Sequence, residues 1–164
     1  MARAAIYTVV FFVLAPGTNA GLVPWLITGW DRPVADLGVL DVLGVALIVI
    51  GLIAVTACFA RFVTEGVGTP APVAPTESLV VGGLYRFVRN PMYVAVASII
   101  GGQALLCRSA GTAIWLLVFM AAVFAFVRAY EEPSLAEQFG DAYADYRDAV
   151  PGWWPRLTPY SPAG

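Results

Sequence analysis

Leu37–Ala60, LGVLDVLGVALIVIGLIAVTACFA, is an almost unbroken run of apolar side chains. Its length matches the roughly 20 apolar residues that a helix needs to cross the hydrocarbon core of a bilayer. Three further stretches extend the pattern. Ala4–Ile27 carries Pro16-Gly17-Thr18-Asn19 in its middle, which predicts a kinked span or a short helix followed by a second piece. A signal peptide ending at Thr18-Asn19-Ala20 is the less favoured reading of the same stretch. Tyr93–Cys107 is short for a perpendicular crossing, and Ala110–Val127 follows it after only Arg108 and Ser109, the spacing of a tight helical hairpin. The expected fold is therefore all-α and integral to the membrane, a single domain over 1–164. It has about four transmembrane helices near 4–27, 37–60, 93–107 and 110–127, a loop at 61–92 and a tail at 128–164.

Composition agrees. The chain is 60% hydrophobic and 12% charged, far from the usual balance of a soluble domain. It has no His and no Lys, so all nine positive charges are arginines, and imidazole acid–base chemistry and His-ligated metal are excluded. Cys58 and Cys107 sit inside apolar runs and form no CxxC, so we expect packing residues and no metal site. The net charge of −2 argues against nucleic acid, which selects a basic face. Oligomeric state leaves no mark in the sequence.

With the amino terminus in the cytoplasm, Arg3, Arg61, Arg86, Arg89, Arg128, Arg147 and Arg156 fall inside, while Arg32 and Arg108 fall outside. That is the positive-inside bias, and it predicts a multi-pass cell-membrane protein with both termini cytoplasmic. The turn formers Gly66, Gly68, Pro70, Pro72 and Pro75 preclude a regular helix after Arg61. In the tail, Leu135, Phe139, Tyr143, Tyr146 and Val150 recur at helical spacing opposite Glu137, Asp141, Asp145 and Asp148. This is an amphipathic pattern, interrupted near Gly140 and ended by Pro151, Gly152 and Pro155. Trp25, Trp30, Trp115, Trp153 and Trp154 read as interface anchors.

Two polar clusters stand out because charge beside lipid is costly unless paired or facing a cavity. The first, Gly82-Gly83-Leu84-Tyr85-Arg86-Phe87-Val88-Arg89-Asn90-Pro91-Met92-Tyr93, predicts a turn that opens the third span, with Pro91 in its first helical turn. Its amino-terminal N–H groups would then be available to a ligand. The second, Glu131-Glu132, is expected just past the carboxyl end of the fourth span. Adjacent carboxylates there oppose the helix dipole and call for a positive partner, with Arg86, Arg89 or a bound cation eligible. Plain anchoring by the arginines and a solvated acidic pair are the structural alternatives. Tyr85, Tyr93, Tyr143 and Tyr146 lie near the clusters and are suited to lining a pocket for a cationic ligand.

These residues, with Glu131-Glu132-Pro133, Phe139-Gly140, Val150-Pro151 and Trp154-Pro155, resemble the isoprenylcysteine carboxyl methyltransferases and their phospholipid methyltransferase relatives. The resemblance covers 64–157. It implies methyl transfer from S-adenosylmethionine to a lipophilic acceptor, a small molecule or a lipid, at the cytoplasmic membrane face, with the tail covering the cofactor. Carried over residue by residue, it implies Arg89 and Glu132 as catalytic. It implies Tyr85, Arg89, Asn90, Pro91, Tyr93, Glu131, Glu132, Tyr143 and Tyr146 as cofactor-binding, Arg86 as substrate-binding, and no metal. Asn90 departs from the family's usual His and cannot titrate. A carboxylate acceptor would need an arginine to hold it and no base; an amine or thiol would need a proton acceptor such as Glu131 or Glu132. The competing expectations are an NADPH-dependent membrane reductase of the sterol reductase type and a non-enzymatic membrane accessory protein.

Overall fold

The computed structural model describes residues 14–33, 38–61, 64 and 78–161. Among them every regular element is helical. A π-helical turn, Thr18–Leu22, leads into α1, Val23–Thr28; α2 is Val39–Arg61, α3 is Pro91–Leu106 and α4 is Ala110–Phe126. A 3-10 turn, Gly83–Arg86, precedes α3, and a second π turn, Val127–Glu131, runs from α4 into α5, Glu132–Phe139; α6 is Asp141–Ala149. Two helical rods, Val39–Arg61 and Ala110–Phe139, are long and apolar enough to cross a membrane, and Pro91–Leu106 is a shorter apolar helix. Within the second rod the apolar part is α4, and the polar residues begin after it. The first expected span lies partly outside the described residues, as does most of the loop after Arg61.

α2 and α3 pack antiparallel at backbone distance. A Cβ on Gly44 would lie 2.8 Å from the Gly102 carbonyl oxygen, and one on Gly51 would lie 2.7 Å from that of Ala95. The pairs are seven residues apart on each helix, so the same face returns every two turns. Lipid offers no hydrophobic drive to bring helices together, so the contact rests on dispersion between closely apposed backbones. Val55, Cys58, Ala95, Val96, Ile99 and Ile100 fill the core around it.

The amino-terminal segment is tied down through a proline. Pro24 has no N–H, so carbonyls one turn back lose their donor, and a lone carbonyl in lipid is expensive. The Asn19 carbonyl accepts from the Trp115 indole at 2.9 Å, and that of Ala20 accepts from Gln103 Nε2 at 2.6 Å. Trp30 donates in turn to Gln103 Oε1 at 3.0 Å. Trp30 and Trp115, expected as interface anchors, are thus also interhelical donors.

α3 and α4 form the expected hairpin. Its turn is closed by Arg108 at φ 46° and by Ser109, which accepts from Thr112 N at 3.1 Å to cap α4. At that end Asp41, buried, binds Arg32 and Arg108 at 3.1 Å each. Gly140, with φ 53° and ψ −127°, separates α5 from α6, in a region open to glycine. Tyr143, Tyr146 and Val150 pack there against Leu79, Val81, Leu135, Phe139 and Tyr160.

Gly102→Val should destabilise the fold by about 3 kcal/mol, whereas Gly101→Ala, whose nearest new contact is Leu116 at 3.5 Å, should be neutral or slightly stabilising. Thermal unfolding in detergent micelles separates the two; equal melting temperatures would remove the backbone contact as the basis of the α2–α3 packing.

Candidate functional site

The turn before α3 and the chain after α6 are laced together. Arg89 N donates to the Pro151 carbonyl at 2.9 Å and Asn90 N to that of Gly152 at 3.2 Å. The Asn90 side chain donates to the same Gly152 oxygen at 3.1 Å. Asn90 is the N-cap residue of α3 yet makes no capping bond; its amide is spent on the tail. A Cβ at position 152 would stand 3.3 Å from Arg89 Nη2, so glycine lets the tail come this close without displacing the guanidinium. Two of the N–H groups expected to be open to a ligand are therefore occupied by the protein itself.

Arg89 is the hub. Its Nη1 donates to Glu132 Oε1 at 2.9 Å and to the Tyr143 hydroxyl at 3.2 Å, and its Nε donates to the Val150 carbonyl at 2.9 Å. Glu132 Oε2 accepts from Arg128 at 3.2 Å. The second cluster does not sit at a helix end as expected, because the helix continues through the π turn into α5 and places Glu132 in that helix's first turn. Burial pushes the Tyr143 phenol upward against the opposing pull of Arg89, so the hydroxyl stays neutral.

Glu131 behaves differently from its neighbour. Its Oε2 accepts from the Tyr93 hydroxyl at 2.9 Å, and among the described residues no arginine pairs with it. Desolvation raises its carboxyl above the usual range, an effect that the Tyr93 bond opposes and the adjacent Glu132 charge reinforces. The Trp153 ring lies 6.4 Å from Tyr93 and 5.8 Å from Phe124. These rings and the carboxylate present π faces and an uncompensated acid in one place.

Arg86, Tyr85 and Tyr146 stand apart from this centre. Arg86 Nε donates to the Tyr160 carbonyl at 2.6 Å and its Nη2 to Ser161 Oγ at 3.0 Å. The Tyr85 ring is buried with its hydroxyl against Cys58, and its carbonyl accepts from Tyr146 at 2.7 Å. Pro91 starts α3 and is buried. Of the expected site residues, the structure therefore gathers Arg89, Asn90, Tyr93, Glu131, Glu132 and Tyr143, and leaves Arg86, Tyr85 and Tyr146 holding the turn and tail. Trp153 was read only as an anchor. The Val150, Pro151 and Gly152 carbonyls were not singled out, since main-chain acceptors have no sequence signature.

A family model described as phospholipid methyltransferase matches residues 39–142. The chain belongs to this family. The same family includes the isoprenylcysteine carboxyl methyltransferases, so the resemblance drawn from the two motifs holds. Membership, with the apolar helices, makes the chain a membrane methyltransferase directed at lipophilic substrates. The match spans α2 to the start of α6 and contains both polar clusters, but stops before Tyr143. No curated protein matches the chain. Among the described residues no group of His, Cys, Asp and Glu is placed to hold a metal ion.

The two glutamates should separate on substitution. Glu132→Gln loses charge-assisted bonds to two arginines and should cost about 1.5–3 kcal/mol. Glu131→Gln can still accept from Tyr93 and should melt at or above wild type near neutral pH. The folded state holds the Glu131 proton to higher pH than the unfolded state does, so this carboxyl lowers stability as pH rises from the ordinary carboxylate range through its raised value. The melting difference between Glu131→Gln and wild type should therefore shrink as pH falls below that range, and an equal or larger loss than in Glu132→Gln would refute the assignment.

Proposed function

We propose that the chain is an S-adenosylmethionine-dependent methyltransferase acting on a lipophilic acceptor at the membrane surface where α3 begins and α4 ends, the cytoplasmic side by its arginine distribution. The observation that carries this reading is Glu131. It is a half-buried carboxylate with no cationic partner among the described residues, beside Tyr93 and Trp153. Aromatic faces with an adjacent carboxylate suit a positively charged ligand. The family match supplies the chemical class.

The donor set fits the cofactor. Glu131, Tyr93 and Trp153 would hold it from the cationic side, and Asn90, Pro91 and Tyr143 would shape the rest of the site. When bound, the cofactor supplies an electrophilic methyl group on a sulfonium. The protein's task is alignment of the acceptor and exclusion of water, because positioning a displacement removes much of its entropic barrier. Glu132 holds Arg89 through Nη1, and Val150 holds it through Nε. This leaves Nη2 as the edge we assign to the acceptor, with a carboxylate as the group it orients. An amine or thiol acceptor would instead make Glu131 the proton acceptor. We assign Arg86, Tyr85 and Tyr146 to positioning, since each is committed to the tail or the turn.

Purified protein should bind S-adenosylhomocysteine and not NADPH, and Tyr93→Phe and Glu131→Gln should each weaken binding of S-adenosylmethionine about tenfold or more, roughly 1.4 kcal/mol. Binding of S-adenosylmethionine to wild type should strengthen as pH rises and Glu131 ionises, while Glu131→Gln shows no such slope; calorimetry reads both. Incubation with labelled S-adenosylmethionine and a membrane lipid extract, followed by mass spectrometry, should yield a labelled lipophilic product and name its acceptor atom. NADPH binding in place of the homocysteine analogue would favour the reductase reading, and binding of neither would favour the accessory protein.

A further inference from the structure

At the opposite end of α3 from Arg89, an open groove of about 350 Å³ runs between α2, α3 and the amino-terminal segment. Ile48, Leu52, Ile99 and Leu106 form its body, and Trp30 and Arg32 are among its remaining lining residues. Gln103, a polar residue in its wall, has both ends of its amide engaged, to Trp30 and to the Ala20 carbonyl. The interior is thus apolar.

We propose that this groove is a binding site for one phospholipid, with an acyl chain in the groove and the phosphate on Arg32. Two observations select that occupant. Arg32 is held by Asp41, near the start of α2, at the level of the α3–α4 turn where Arg108 joins the same carboxylate. From Asp41 to Leu52 is eleven helical steps, about 16 Å along α2 at 1.5 Å per residue. This is close to one leaflet, about 15 Å, half of the hydrocarbon thickness. The groove therefore reaches from headgroup depth to the bilayer midplane. Its charge matches as well. Asp41 takes one Arg32 nitrogen, Nη2, and the side chain is 47% exposed, so the rest of the guanidinium faces outward at the depth of lipid phosphates. A cation there attracts anionic lipid. The site is remote from Arg89 and Glu131 and does not depend on the proposed reaction.

Full-length protein reconstituted in vesicles of equimolar phosphatidylglycerol and phosphatidylcholine, then released for native mass spectrometry, tests this. Wild type should retain one phospholipid, with phosphatidylglycerol favoured about fivefold, the effect of roughly one surface arginine. Leu52→Trp, at a half-exposed position that fills the groove without entering the α2–α3 contact, should lose the retained lipid while keeping wild-type helicity and melting. Arg32→Gln should retain a lipid with the preference for phosphatidylglycerol gone. Wild type free of retained lipid, as would follow if a segment of the chain itself fills the groove, overturns the proposal. So does a Leu52→Trp adduct pattern identical to wild type.

Discussion

Arg89 ties the turn before α3 to three later parts of the chain, at Glu132, Tyr143 and Val150-Pro151. Its backbone meets Pro151, its Nε meets Val150, and its Nη1 meets Glu132 and Tyr143. The reason for this convergence is the medium. At the edge of lipid a guanidinium with unmet donors is costly, and the carbonyls of a short irregular tail need donors just as much. One residue answers both needs, and the polar layer above α3 and α4 is assembled around it. Glu132 pairs with both Arg89 and Arg128, and among the described residues Glu131 pairs with neither. The difference between the two adjacent acids, one paired twice and one met by a tyrosine, follows from where the π turn aims each side chain.

Much of the fold was legible because membrane immersion simplifies the rules. The apolar runs at Leu37–Ala60 and Ala110–Val127 correspond to α2 and α4 within two residues at either end, and Pro91 marks the start of α3 as its missing N–H requires. Gly140 divides the tail helix where the periodicity falters. The π turns were not legible: continuity from α4 into α5 depends on how Glu131 and Glu132 are satisfied in three dimensions, so a helix end was expected where none occurs. The pairing of the Asn19 and Ala20 carbonyls with Trp115 and Gln103 was equally hidden, since a freed carbonyl names no partner until the helices are packed.

The site was legible as residue types and not as roles. Arg89, Tyr93, Glu131 and Glu132 meet across the gap that separates their motifs, and the family match contains all four. Arg86 and Arg89 are indistinguishable by local spacing, yet Arg86 donates to the tail while Arg89 donates to Glu132 as well as to the tail. The difference arises because residues 150–161 double back along the turn, with Arg156 N bonded to the Phe87 carbonyl and Tyr160 N to that of Arg86. No periodicity encodes that course.

Asn90 acquires a definite meaning from the same course of the chain. An imidazole at this position could titrate, whereas an amide does not; here Nδ2 and the backbone N–H converge on one Gly152 oxygen. Two donors on one carbonyl set the direction of the next residue, and the next residue is Trp153, whose ring lies over Tyr93 and Phe124. Phe124 is half exposed on the outer face of α4. Asn90 thus fixes the stretch of tail that leads into Trp153. That ring sits beside Tyr93, whose hydroxyl meets Glu131, and beside Phe124 of α4.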